Sequence, residues 1–102
     1  MIALIVRFKS RFTYEEILKI AENRADQFRA LDGLSQKYYL KYAEKDEYGA
    51  VYLWESEEAL KEFRNSELAA TIAETYGVEG TPEFRVAEVI MPLRAEEVPA
   101  KR

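Results

Sequence analysis

Residues 2–9, Ile-Ala-Leu-Ile-Val-Arg-Phe-Lys, form a β-branched run whose two alternating faces are both apolar at its start, the pattern of a central strand. Thr13-Tyr14-Glu15-Glu16 is a capping-box sequence: the Thr13 hydroxyl can accept the third helical N–H while Glu16 reaches back to the cap. Tyr14, Ile17, Leu18, Ala21, Ala25, Phe28 and Leu31 then recur every three or four positions as one apolar stripe, predicting a helix stopped by Gly33. Leu34 to Tyr42 alternates apolar or aromatic residues with Ser35, Lys37 and Lys41, and Ala50 to Glu55 is a second short β-rich run. The connection 44–49 has hairpin chemistry, with Gly49 able to take a positive φ. Ser56 caps a helix carrying Ala59, Leu60 and Phe63; Asn65-Ser66 breaks and re-caps it, and Leu68, Ala69, Ile72 and Tyr76 continue to Gly77. Gly80-Thr81-Pro82 predicts a turn, and Phe84 to Met91 a last strand whose leading proline suits a sheet edge.

The element order is βαββαβ with a broken second helix, which predicts an α+β, ferredoxin-like fold on a four-stranded antiparallel sheet. Residues 1–92 make one domain, and 93–102 a charged C-terminal tail without period. Two helices cover only one sheet face. Yet Ala3, Ile5, Ala87, Val89 and Met91 have the opposite parity to Leu4, Val6, Val86 and Ile90, so both faces carry apolar residues. A homodimer that covers the second face is expected.

Composition removes most familiar chemistry. The 102 residues hold 15 Lys+Arg against 19 Asp+Glu, a net charge of -4, so no basic field is present to collect a phosphate backbone and no nucleic-acid partner is expected. With no cysteine and no histidine, thiolate nucleophiles, disulfides, the Ser-His triad, imidazole bases and the usual zinc and haem ligands are unavailable. No glycine fingerprint for a dinucleotide or phosphate is present, so neither cofactor nor metal is expected. The apolar start is interrupted by Arg7 and Lys9, too soon for a secretory core or a membrane span, and the expectation is a cytoplasmic protein without a membrane partner.

Two other uses of a ferredoxin-like fold fail on the text. An RNA-recognition third strand would need a basic residue at Asp46, glycine at Glu47 and stacking rings at Ala50 and Leu53. An acylphosphatase-like anion cradle would need glycine in Lys9-Ser10-Arg11-Phe12-Thr13, which has none.

Leu31-Asp32-Gly33-Leu34, and Tyr48-Gly49-Ala50-Val51-Tyr52-Leu53-Trp54 followed by Glu55-Ser56-Glu57-Glu58-Ala59-Leu60, resemble the dimeric α+β barrel superfamily. Within it, the chain is similar to small bacterial mono-oxygenases related to antibiotic-biosynthesis mono-oxygenases. The resemblance implies two sheets paired into a barrel, a pocket between each sheet and its own helices, and oxidation of a phenolic or quinol substrate without metal or flavin. Haem-degrading relatives use a pocket Asn, a Trp and a His; this chain has no His and no Asn in its first strand.

Such chemistry needs a site that binds a ring, excludes water and stabilises an anion. The walls would come from Phe28, Tyr38, Tyr52, Trp54 and Tyr76, and the catalytic cation would be Arg85 or Arg7, whichever points inward. The plainer reading is that strand aromatics fill the core and strand arginines pair with carboxylates. Glu83 and Glu88 would serve as a base if buried, or as partners for those arginines, while Glu55, Glu57 and Glu58 complement a helix dipole. The expectation is a cofactor-independent mono-oxygenase-like enzyme acting on a small aromatic or quinol-type molecule. The alternative is a non-catalytic small-molecule-binding or protein-interaction module. A cavity with a polar group aimed into apolar walls favours the first, a filled core the second.

Overall fold

The computed structural model describes residues 1–94, so all but the first two residues of the expected tail lie outside the described residues. The elements are β1 (Ile2–Ser10), α1 (Tyr14–Arg29), β2 (Leu34–Lys41), β3 (Glu47–Trp54), α2 (Glu57–Arg64), α3 (Glu67–Ala70), α4 (Ile72–Thr75) and β4 (Val78–Glu88). The strands form one antiparallel sheet in the order β2-β3-β1-β4, with the β-branched β1 in the interior as its sequence predicts. This is the ferredoxin-like arrangement.

The helices begin where the sequence says. Thr13 accepts from the Glu16 amide at 3.2 Å and its own N–H donates to the Glu16 carboxylate at 2.9 Å, completing the capping box. Ser56 and Ser66 likewise accept from the amides of Ala59 and Ala69 and start α2 and α3. Ends and strand starts differ from expectation. Helix α1 stops at Arg29 rather than at Gly33, which instead turns the chain into β2 with φ 84. Strand β3 starts at Glu47, so Gly49 is an interior strand residue and the positive φ of the hairpin belongs to Asp46. Gly49 is required there for another reason: a Cβ would collide with the Val6 carbonyl oxygen of β1. Strand β4 starts at Val78, and Gly80-Thr81-Pro82 is a bulge inside it rather than a turn before it. Glu79 pairs with Lys9 and Glu83 with Arg7, so the three residues between them oppose Phe8 alone. On this edge strand the missing amide of Pro82 breaks no ladder.

The core lies on one side of the sheet. Leu4 and Val6 of β1, with Ala50, Tyr52 and Trp54 of β3, pack against Phe28 of α1 and Leu60 and Phe63 of α2. A second cluster joins Ile17, Tyr48 and Tyr76. Each large apolar side chain buried this way contributes about 1.5–3 kcal/mol. Pairing register places Ala3, Ile5, Val51, Leu53 and Ala87 on the other face, which no helix among the described residues covers.

Candidate functional site

Strand β2 decides the site. Leu34 pairs with Trp54, but Gln36 pairs with Leu53 and Lys37 with Tyr52, so one extra residue is accommodated between Leu34 and Gln36. That irregularity reverses the parity of everything after it. Lys37, Tyr39 and Lys41 therefore face the helices, while Tyr38 and Leu40 lie on the uncovered face opposite Val51 and Gly49.

Lys37 enters an aromatic cage. Its Nζ sits 3.3 Å from the Phe28 ring centroid, 4.4 Å from that of Tyr52 and 4.5 Å from that of Tyr39. Among the described residues no carboxylate forms an ion pair with it. Burial and then the nearby positive charge of Arg24 disfavour the ammonium and lower Lys37 to about 7. Arg24 of α1 donates through Nη2 to Thr71 at 3.0 Å, while its Nη1 is buried without a hydrogen-bond partner. The hydroxyl of Tyr76 is buried and unpartnered as well. Desolvation raises both internal phenols, Tyr76 to about 12 and Tyr52 further, so both stay neutral hydroxyls. Tyr76 is held from below, because the buried Ser10 hydroxyl donates to its carbonyl at 2.6 Å and accepts from the Phe12 amide at 3.0 Å.

Lys37, Tyr52 and Tyr76 border a cavity of about 130 Å3 between α1 and the sheet, which Ala21, Tyr48 and Ile72 line as well. Tyr14, Leu18, Tyr39 and Lys41 stand at its mouth, the first three well exposed. A second cavity of about 270 Å3 runs under α3, α4 and β4 between Phe63, Ala69, Val78, Pro82 and Phe84. Val6, Phe8, Tyr52 and Ile72 line both. The space suits a molecule of one or two fused rings, below the ~300–1,000 Å3 of drug-sized sites. Its walls are apolar, and its polar groups are cations and neutral hydroxyls.

The structure brings together only part of the set expected from sequence. Tyr52 and Tyr76 line the smaller cavity, and Phe28 lies on the helix side in the core, its ring under the Lys37 amine. Trp54, 1% exposed and stacked on Tyr52 at 6.0 Å, is core and lines none of the cavities described. Tyr38 is turned away by the irregularity in β2. Neither arginine points inward. Arg7 pairs with Glu47 at 2.7 Å and Glu44 at 3.1 Å and stacks on Tyr42, and Arg85 makes a surface pair with Glu83 at 3.3 Å. Both lie on the uncovered face, and Glu88 is solvent-exposed on β4. The cations lining the smaller cavity are Lys37 and Lys41, with Arg24 close enough to Lys37 to act on its charge, and alternation and stripe patterns assign all three to solvent. Among the described residues, no group of three or more carboxylates could hold a metal ion, and no helix is long and apolar enough to cross a membrane.

No family model and no curated protein matches the chain. Solved structures do. A protein of unknown function from Nitrosomonas europaea superposes with a TM-score of 0.74 at 17% identity, covering 89% of this chain and 90% of its own. SnoaB, a cofactor-independent oxygenase from Streptomyces nogalater, gives 0.72 at 17% identity over 90% and 95%. A candidate antibiotic biosynthesis monooxygenase from Caulobacter crescentus gives 0.72 at 19% identity over 88% and 90%. At such identities the likeness is one of fold.

Proposed function

We propose that the protein is a cofactor-independent oxygenase acting on a small phenolic or quinol-type molecule held between the sheet and α1. The carrying observation is Lys37, an amine with no carboxylate partner among the described residues, lowered to about 7 and set among three aromatic rings beside the cavity. A base poised near neutrality is what removal of a phenolic proton requires. The neutral amine takes the proton, and the resulting ammonium lies beside the new phenolate with the Arg24 guanidinium behind it. Neutral Tyr52 and Tyr76 supply donors that do not compete for the proton. The phenolate ring transfers one electron to dioxygen, and the radical pair closes a C–O bond at the ring carbon para to the oxygen. Loss of that carbon's proton and cleavage of the O–O bond release water and leave a quinone, so a phenol plus dioxygen becomes a quinone plus water. The protein's part is electrostatic: it holds the anion in an apolar, largely dry space. The shared fold of the Streptomyces oxygenase supports this reading.

1-Naphthol and isotopically labelled dioxygen test it. One labelled oxygen atom is expected in 1,4-naphthoquinone and the other in water; hydrogen peroxide in place of labelled quinone would refute oxygenation.

We also infer that a second copy of the chain covers the open sheet face. Its apolar centre of Ala3, Ile5, Val51, Leu53 and Ala87 is flanked by Arg7 and Arg85 and by Glu47 and Glu83, charges of both signs that a two-fold axis can pair.

A further inference from the structure

We propose that Lys37 is also a carbonyl-reactive amine, one that condenses with small aromatic aldehydes entering the helix-side cavity to form an imine. The proposal does not depend on oxygenation, since it needs no dioxygen. Three observations carry it. Lys37 lines an apolar cavity wide enough for one ring, and its Nζ sits 4.4 Å from the ring of Tyr52, which lines the same cavity, so an aldehyde carried there by its aromatic body comes within reach of the amine. Among the described residues, no carboxylate within ion-pair distance fixes the amine as an ammonium. The groups around it are neutral or positive: Arg24 from α1, Tyr39 from its own strand, Tyr52 from β3, Tyr76 following α4, and Lys41 at the mouth. Such surroundings populate the neutral nucleophile at ordinary pH, the condition that activates lysines in apolar or cation-flanked sites.

The reaction balances without an added reagent. The amine lone pair forms a C–N bond to the carbonyl carbon and the C=O π pair moves to oxygen. A proton passes from nitrogen to that oxygen, giving a carbinolamine. The second N–H proton and the hydroxyl leave as water, and the imine remains. The buried Arg24 Nη1, which has no hydrogen-bond partner of its own, supplies positive charge on the same side of the sheet, where the carbonyl oxygen becomes negative.

Benzaldehyde with sodium cyanoborohydride, applied anaerobically to the full chain at pH 7, converts any imine into a stable benzyl-lysine that peptide mapping can locate. Labelling at Lys37 is expected to run about a hundredfold faster than at an exposed lysine such as Lys9, because an ordinary lysine with pKa ≈ 10.4 is almost wholly protonated at this pH. Lys37→Arg, which keeps the charge and loses the nucleophile, is expected to retain only slow background labelling. Equal labelling of Lys37 and Lys9, or labelling confined to the Met1 amine, would overturn the proposal, and the wild-type map decides this whether or not the variant folds. Loss of oxygenation with 1-naphthol while benzyl-Lys37 still forms would reject the oxygenase reading alone.

Discussion

Lys37 carries opposite consequences for stability and for chemistry. Its amine is lowered from 10.5 to about 7 in the folded chain, so between those values the unfolded state binds more protons than the folded one and stability rises with pH. Below about pH 7 the desolvation penalty is present in full; above about 10.5 it is gone. Lys37→Met keeps the stem's packing and removes the charge. The variant is therefore expected to melt higher than wild type at pH 6, with the gap narrowing steadily towards pH 10; a pH-independent gap in paired thermal melts would show that the amine is not desolvated. Trp54 gives the contrasting case. Its indole N–H is buried without a partner, a cost of about 1–3 kcal/mol, so Trp54→Phe trades lost ring volume against removal of an unsatisfied donor. Unfolding within about 1 kcal/mol of wild type, with unchanged affinity for 1-naphthol, is expected for a core residue that lines none of the cavities described. A large loss of affinity at intact stability would return Trp54 to the site.

At the scale of elements, starts carried by side-chain caps were legible in the sequence and boundaries governed by tertiary fit were not. Thr13, Ser56 and Ser66 announce α1, α2 and α3 because each cap is a local hydrogen bond. Gly49 misleads because a glycine beside polar residues looks like a turn, whereas its requirement is the close approach of the β1 backbone, a contact between residues far apart in the chain. Gly80, with φ 73 and open space around its Cβ position, is the reverse. Gly49→Ala is thus expected to cost more than about 2 kcal/mol in denaturant unfolding, and Gly80→Ala about 1 kcal/mol of left-handed strain. Similar losses for both would mean that β1 and β3 are spaced more widely than described. The same distinction explains the site. Phe28, Tyr52 and Tyr76 follow from aromatic residues on predicted elements, but Lys37 turns inward only because one extra residue shifts β2 against β3, and no simple alternation shows that shift.

For the whole molecule, the proposed reading gives separate tasks to the uncovered sheet face and the helix-side cavities, on the two sides of one sheet. Ile5 and Leu53 lie near the centre of the open face, and a charge at either would meet its symmetry mate's apolar surface. Ile5→Asp is expected to sediment as a monomer at micromolar concentration while wild type sediments as a dimer; a monomeric wild type would leave that face without the proposed occupant. Charges already on the open face, Arg7 and Arg85 included, are remote from the proposed chemistry in this arrangement, which places the reacting molecule against Lys37. The direct comparison is the initial rate of oxygen uptake with 1-naphthol at pH 8, measured side by side for Lys37→Met and Arg85→Met, both confirmed folded. Lys37→Met is expected to lose activity by roughly a hundredfold or more, the usual weight of a positioned base, with Arg85→Met close to wild type. Unchanged uptake in Lys37→Met together with collapse in Arg85→Met would put the chemistry on the other side of the sheet.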